Sequence, residues 1–333
     1  MAVDGRCAMG RKDAHGVFIR ETCGLQLAGA GGNIVCFTAG GKLLGHIVGA
    51  NGMQCDPHAA LDEWHNLPDA ERRPGAIQVG EQGPLDPAHE QPKPPSGGLI
   101  LKQYYRMLAE QPDGALRHVT LEDFDHREAL SKYRDRHAKR HYFEAAPDFV
   151  WLTEVEWRSL IPVKPRPGDT FQVPPAIRDR IFRFQLVPDI TFGESNGWEA
   201  DQVRGGELHA TVESVSPTRV RLRLEGFAHL GLDYDTAQAR SQNGGHSAHG
   251  YEPSLLGYLD YNPAENRIER FDLVALGSFY GTLYGDNRLL FRSGRTPLGV
   301  AFEMVDTDSP QADRQVPPRA AKYPEQYFST GQH

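Results

Sequence analysis

No stretch of this chain approaches the about 20 consecutive apolar residues that a membrane-spanning helix needs, which predicts a soluble protein without a membrane span. Cysteine is scarce: Cys7, Cys23, Cys36 and Cys55 are the only four, all within the first 55 residues. No CxxC pair occurs, so a zinc ribbon, a dithiol redox motif and a c-type haem site lose their usual signature. GxGxxG does not appear, and a dinucleotide-binding reading has no anchor. Gly40-Gly-Lys42 fails as a phosphate loop, because Cys36 stands where a glycine is required and Leu43 replaces the Mg²⁺-binding Ser or Thr. Positive charge is also short. With 36 basic against 44 acidic residues the net charge is -8, which repels nucleic acid and anionic lipid.

What is present is a chain of 333 residues, enough for one large or two ordinary domains, with 39% hydrophobic residues to bury as core. Its 35 glycines and 24 prolines favour turns and short strands over long helices. The pattern predicts an α+β protein. Residues 1–75 read as a small α/β unit that carries the cysteines: a strand at Asn33–Thr38, a glycine turn, a strand at Leu43–Val48, and a helix starting near Asp56-Pro57. Residues 76–98 form a proline-rich linker or arm. Residues 99–184 read as mainly helical, with a strand-or-helix start, a helix from Leu121 to about Glu144 behind Thr120 as N-cap, and shorter helices at Thr153–Leu160 and Pro175–Phe184.

From 185 to 305 the period changes to two. Leu208, Ala210 and Val212 alternate with polar residues, as do Val220, Leu222 and Leu224 after a Ser216-Pro-Thr turn. A second hairpin pairs Leu255–Tyr261 with Ile268–Leu276, and further strands fall at Leu289–Phe291 and Leu298–Met304, as expected of an antiparallel sandwich or barrel-like domain. Residues 306–333 read as a polar surface tail.

Chemistry gathers on the loop Asn243-Gly-Gly-His-Ser-Ala-His-Gly-Tyr-Glu252. His246 and His249 are spaced HxxH between glycines, and His229 and Asp233, with Asp235 or Glu252, could complete a Zn, Cu or Fe site. The alternative is a solvated loop with incidental histidines and no cofactor. Trp151, Trp157, Trp198, Phe279, Tyr280 and Tyr284 could instead form a stacking platform for a sugar or aromatic ligand, best at Gly277–Gly285 with Glu252 nearby, although core packing is the commoner fate of such rings. On the expected 121–144 helix, Glu122, His126, His137, His141 and Glu144 share one face. His137-Ala-Lys-Arg-His141 has the histidine spacing of a zincin but not its glutamate, and a solvated charged face is the simpler account. Arg219, Arg221 and Arg223 make a basic row, read as edge-guarding or ion-paired.

The strand–turn–strand–helix order of residues 33–67 resembles the C-terminal half of a thioredoxin-like fold, without CxxC or the proline that would precede Asn33. Trp151-Leu-Thr-Glu-Val-Glu-Trp157, Gly168-Asp-Thr-Phe-Gln-Val-Pro-Pro175, Val220-Arg-Leu-Arg-Leu-Glu-Gly226, Leu256-Gly-Tyr-Leu-Asp-Tyr-Asn-Pro263 and Arg270-Phe-Asp-Leu-Val-Ala-Leu-Gly277 are similar in style to an uncharacterised family of bacterial extracytoplasmic proteins. That resemblance brings no site residues. It implies export, hence a periplasmic or secreted protein with two disulfides among Cys7, Cys23, Cys36 and Cys55. The alternative is a cytoplasmic protein with reduced thiols, since Met1–Met9 carry no signal-like apolar stretch. The expected function is therefore a metal-dependent redox or hydrolytic site on the histidine loop. Its rivals are a non-enzymatic module for a small molecule, glycan, peptide or protein, and an interaction subunit of a larger assembly.

Overall fold

The structure, a computed structural model, describes residues 2–4, 34–47, 57–75, 92–132, 146–187, 197–233, 249–281, 292–305, 315–322 and 324–329. The chain forms two compact units, Met1–Gln91 and Pro92–His333. The expected helical stretch, the β domain and the tail thus share the second unit.

In the first unit, β1 (Ala2–Asp4), β2 (Ile34–Phe37) and β3 (Leu43–Ile47) form an antiparallel sheet in that order. The turn between β2 and β3 closes with Thr38 N–H donating to the Lys42 carbonyl at 2.9 Å. Helices α1 (Pro57–Asn66) and α2 (Asp69–Arg72) follow. Thr38 Oγ1 donates to the Glu71 carbonyl at 3.0 Å, which ties the turn to α2. Cys36 is a free, partly buried thiol on β2. Cys7, Cys23 and Cys55 lie outside the described residues.

The second unit is built on one nine-stranded antiparallel sheet. Its strands are β4 (Leu99–Glu110), β5 (Leu116–His118), β6 (Ala146–Leu152), β7 (Thr170–Gln172), β8 (Val203–Val215), β9 (Val220–Gly231), β10 (Gly250–Asn262), β11 (Arg267–Tyr280) and β12 (Thr296–Val305). Their order is β5-β4-β12-β11-β10-β9-β8-β7, with β6 also paired to β4. Alternation sorts the faces: Leu222, Leu224, Leu259, Leu273, Ala275, Val300 and Tyr105 point into one core, while their neighbours along each strand point out. This is the expected α+β arrangement, with one large antiparallel sheet in the C-terminal part. Among the described residues no ladder joins β7 to β5 or β6, and the layer that covers the apolar face is helical.

That layer consists of α4 (Glu154–Ser159), α5 (Pro175–Arg180) and a π-helical turn, Ile181–Gln185. Trp157, Leu160, Ile177, Ile181 and Phe182 join the sheet's core cluster. Thr153 and Glu156 form the capping box of α4: Thr153 N–H donates to Glu156 Oε2 at 2.7 Å, and Glu156 N–H to Thr153 Oγ1 at 3.3 Å. Gly206, at φ +140°, sits under this layer; a Cβ there would come within 2.7 Å of the Phe182 ring.

Three expectations give way. Residues 99–110 and 146–152 are strands; in the first, Leu101, Tyr105, Met107 and Ala109 are buried and alternate with half-buried neighbours at period two. The 121–144 helix is broken: Leu121–Asp123 is a 3₁₀ turn, and α3 starts only at Arg127 and runs to Lys132. Burial of Phe124 in the core pulls its backbone to an extended conformation and stops the first turn. His137, His141 and Glu144 lie outside the described residues, as does Leu289–Phe291. Finally, the tail is not a surface extension. Helices α6 (Pro318–Lys322) and α7 (Pro324–Phe328) bury Ala320 and Tyr327 against Ile100, Trp151 and Phe184.

Asp123 gives a pH prediction. The Arg117 guanidinium grips its carboxylate with two bonds of 2.7 Å, and Thr120 N–H adds one of 2.6 Å, which holds its pKa down to about 2 against the opposing cost of burial. A depressed carboxylate pKa stabilises the fold above the unfolded value of about 3.9 and loses that contribution as pH falls towards 2. Asp123→Asn is therefore expected to be less stable than the parent at pH 7. Urea titrations of both should converge between about pH 4 and pH 2; a constant gap would contradict this assignment.

Candidate functional site

The described part of the histidine loop, from His249 onward, lies at the end of the sheet where β9 finishes and β10 begins. Gly231 makes the local packing possible. At φ +79° it lets Leu232 N–H donate to the His249 carbonyl at 3.0 Å, and a Cβ at Gly231 would stand 2.1 Å from that oxygen and 2.7 Å from the Trp198 ring. Trp198 is buried, donates its indole N–H to the Leu186 carbonyl at 3.1 Å, and stacks on the His249 imidazole with centroids 4.9 Å apart.

On the outward side, Glu252 accepts from Arg295 Nη1 at 2.5 Å and from the Tyr280 hydroxyl at 3.4 Å, with Arg204 Nη2 at 3.9 Å. The Arg295 hydrogen bond holds the Glu252 carboxyl below its ordinary range, although partial burial works the other way. Tyr280 donates to the Leu232 carbonyl at 2.5 Å, and burial, with Glu252 beside it, raises its phenol. Asp233 pairs with Arg204. His229 is exposed, makes an edge contact with Phe227 at 5.3 Å, and adds a weaker favourable charge to Glu252.

This geometry brings together five of the expected site residues, His229, Asp233, His249, Glu252 and Tyr280, but with partners other than a metal. Both carboxylates face guanidinium groups, which compete with a dication, and His249 lies flat on an indole. Among the described residues no three His, Cys, Asp or Glu side chains converge as a metal site. His246 and Tyr284 lie outside the described residues. Phe279 and Tyr280 sit on strand β11 rather than on a projecting loop, and both are buried, so neither forms an open stacking platform. Two members of the basic row are ion-paired: Arg221 meets Asp260 at 3.1 Å and Arg223 meets Glu225 at 2.5 Å. The row lies on a central strand, not an edge. The chain matches no family model, no curated protein and no solved structure.

Sequence reasoning missed Arg204 and Arg295, and named Trp198 only as one of several aromatic candidates, not as the partner of His249. Each is remote from the loop in sequence, and no local pattern links them to it; only the order of the strands in the sheet does. It also missed the sheet's outer face. There Phe227, Leu256, Val274 and Leu276 are 39%, 45%, 48% and 40% exposed. They lie in two neighbouring cross-strand rows, since Leu256 pairs with Val274, and Ser254 pairs with both Leu276 and Phe227. Gly299 on β12 extends this patch as a shallow trough, with Leu276 and Leu108 on its two sides. The only sequence signal was four apolar residues at positions the strand period sends outward.

Proposed function

We propose that the β domain is a non-enzymatic protein-binding module whose docking surface is the outer face of β9, β10 and β11. The observation that carries this reading is the contiguous patch of Phe227, Leu256, Val274 and Leu276 on central strands. Strands there have no free backbone edge to guard or to offer, so the apolar side chains serve neither folding nor strand addition. Charge frames the patch. Arg204, Glu252 and Arg295 lie beyond one end, Arg223 and the Arg270–Asp272 pair beyond the other, and Glu225, paired opposite Leu256, flanks it on β9, which is the anatomy of an apolar interface centre with a polar rim. Completing the burial of these four side chains contributes about 1 kcal/mol each.

The metal-dependent reading of the same domain has less support, because Glu252 and Asp233 are engaged by arginines. The test uses a photo-crosslinking amino acid at Val274, with the exposed Val163 as control, in cells that express the full chain. The expected result is a discrete adduct from position 274 alone, formed with a protein that binds the purified chain directly. Leu276→Asp should weaken that binding about tenfold or more while the circular dichroism is unchanged. Equal capture at both positions would overturn the reading. So would stoichiometric Zn, Cu or Fe that disappears in the His246→Ala, His249→Ala variant.

A further inference from the structure

At the opposite end of β10, about 40 Å from the histidine loop at ~3.3 Å per residue, a cleft of about 300 Å³ opens between α4 and the β10–β11 turn. Its walls include Trp157, Ile161, three prolines (Pro162, Pro165, Pro263) and Tyr261. From this cleft we infer a second binding site, one that takes a small carboxylate with an aromatic or branched apolar body.

The walls are set before any ligand arrives. Trp157 is anchored by its indole N–H to the Gly97 carbonyl at 2.9 Å. The prolines fix their own φ angles. Asn262 Oδ1 accepts from Ala264 N–H at 3.0 Å and Glu265 N–H at 3.3 Å, which locks the turn that carries Pro263. Asn266 Oδ1 accepts both the Tyr261 hydroxyl, at 2.8 Å, and Arg158 Nη1, at 2.6 Å, so the phenol and the guanidinium are held on one oxygen. A pre-formed apolar cleft loses little entropy on binding.

Charge complementarity selects the ligand's head group. Arg158 lies over the Trp157 ring at 4.5 Å and lines the cleft; Glu154, at 2.6 Å, is its acidic partner. The loop that forms the lip, Pro162-Val-Lys-Pro-Arg-Pro167, lines the cleft with Pro162, Val163 and Pro165, and carries beside it Lys164 and Arg166, both exposed and without an ion-pair partner among the described residues. The facing acid in that loop, Asp169, accepts the Arg166 backbone N–H at 3.0 Å. This is a local excess of positive charge on a chain of net charge -8. Val163, at the lip, is 96% exposed, an apolar side chain that folding leaves wholly in water. The cleft's volume is at the lower bound of ligand pockets, which suits a single ring or a branched chain of a few carbons rather than a peptide.

The experiment is a titration of the full chain with benzoate, read by the Trp157 indole N–H resonance, against benzamide as the neutral isostere. Saturable benzoate binding is expected, with benzamide about tenfold weaker or more. Val163→Asp and the Lys164→Gln, Arg166→Gln pair, all exposed positions that should leave the fold intact, are expected to lower benzoate affinity by a similar factor. No saturable shift of the indole resonance, equal binding of benzamide, or unchanged affinity in Val163→Asp would each overturn the site. Binding of an acidic peptide with no response to benzoate would overturn the small-molecule occupant. Loss of the β9–β11 partner surface through Leu276→Asp leaves this titration unaffected, so the two readings stand or fall separately.

Discussion

Glu156→Ala is expected to destabilise the second unit by about 3–5 kcal/mol, the cost of leaving a buried charge without its partner. Arg180 is 0% exposed, and its guanidinium meets Glu156 at 2.7 Å and 2.5 Å. The same carboxylate caps α4 through Thr153 N–H, so the substitution removes an ion pair and a helix cap together. Arg180 keeps two other bonds, to the carbonyls of Trp151 at 2.9 Å and Tyr327 at 3.0 Å, and the Tyr327 ring 5.0 Å away. These fix its position but do not neutralise it. Urea unfolding followed by tryptophan fluorescence measures the effect. Glu156→Gln, which keeps a capping acceptor, should fall between parent and alanine variant. Glu156→Ala with Arg180→Met should recover part of the loss, because no buried charge remains. A cost under about 1 kcal/mol for Glu156→Ala would mean that water reaches Arg180.

Deleting residues 315–333 is expected to lower the melting temperature of the second unit by about 10 °C or more, and to promote aggregation. Tyr327 and Ala320 are fully buried, and their removal uncovers Ile100, Trp151 and Phe184. The Trp151 indole also loses its acceptor, the Gln315 carbonyl at 2.8 Å. Arg319 and Asp148 form a second buried ion pair, at 2.8 Å, so the deletion strands the Asp148 carboxylate. The deletion also bares the edge of β6. Trp151 N–H donates to the Tyr327 hydroxyl at 3.0 Å, and the Trp151 carbonyl accepts from Arg180, so α7 and α5 occupy backbone groups that another strand could otherwise pair with. Calorimetry and size-exclusion chromatography at rising concentration test both parts. An unchanged melting temperature and a monodisperse truncated chain would show the tail to be dispensable.

The hairpins were legible because they are local. β8 with β9, and β10 with β11, follow from alternation and turn residues a few positions apart, and their observed registers match that pattern. The cap at Thr153 and the proline start of α5 were legible for the same reason. The strand β4 was ambiguous because its core face carries Gln103 and Tyr105, whose Nε2 and hydroxyl donate to the distant Gln185 carbonyl, at 2.6 Å and 2.8 Å. The tail looked polar because residues such as Arg319 read as surface charges until the buried Asp148 of β6 is seen to pair with it.

The candidate site was legible only in part, for the same physical reason. The loop histidines, Glu252 and Asp233 announce polar chemistry by residue type, and the strand period assigns Glu252 to the outer face. Their partners, Arg204, Arg295 and Trp198, enter from strands or loops tens of residues away. Residue type and local period therefore determined the α+β class and the central hairpins. Tertiary structure alone decided that Phe279 and Tyr280 are core, that the carboxylates are spent on arginines, and that an apolar patch and a proline-lined cleft stand open at separate places on one sheet. Spacing along a chain fixes which face a side chain takes, but what it meets there depends on sheet order and on burial, and those are properties of the assembled fold.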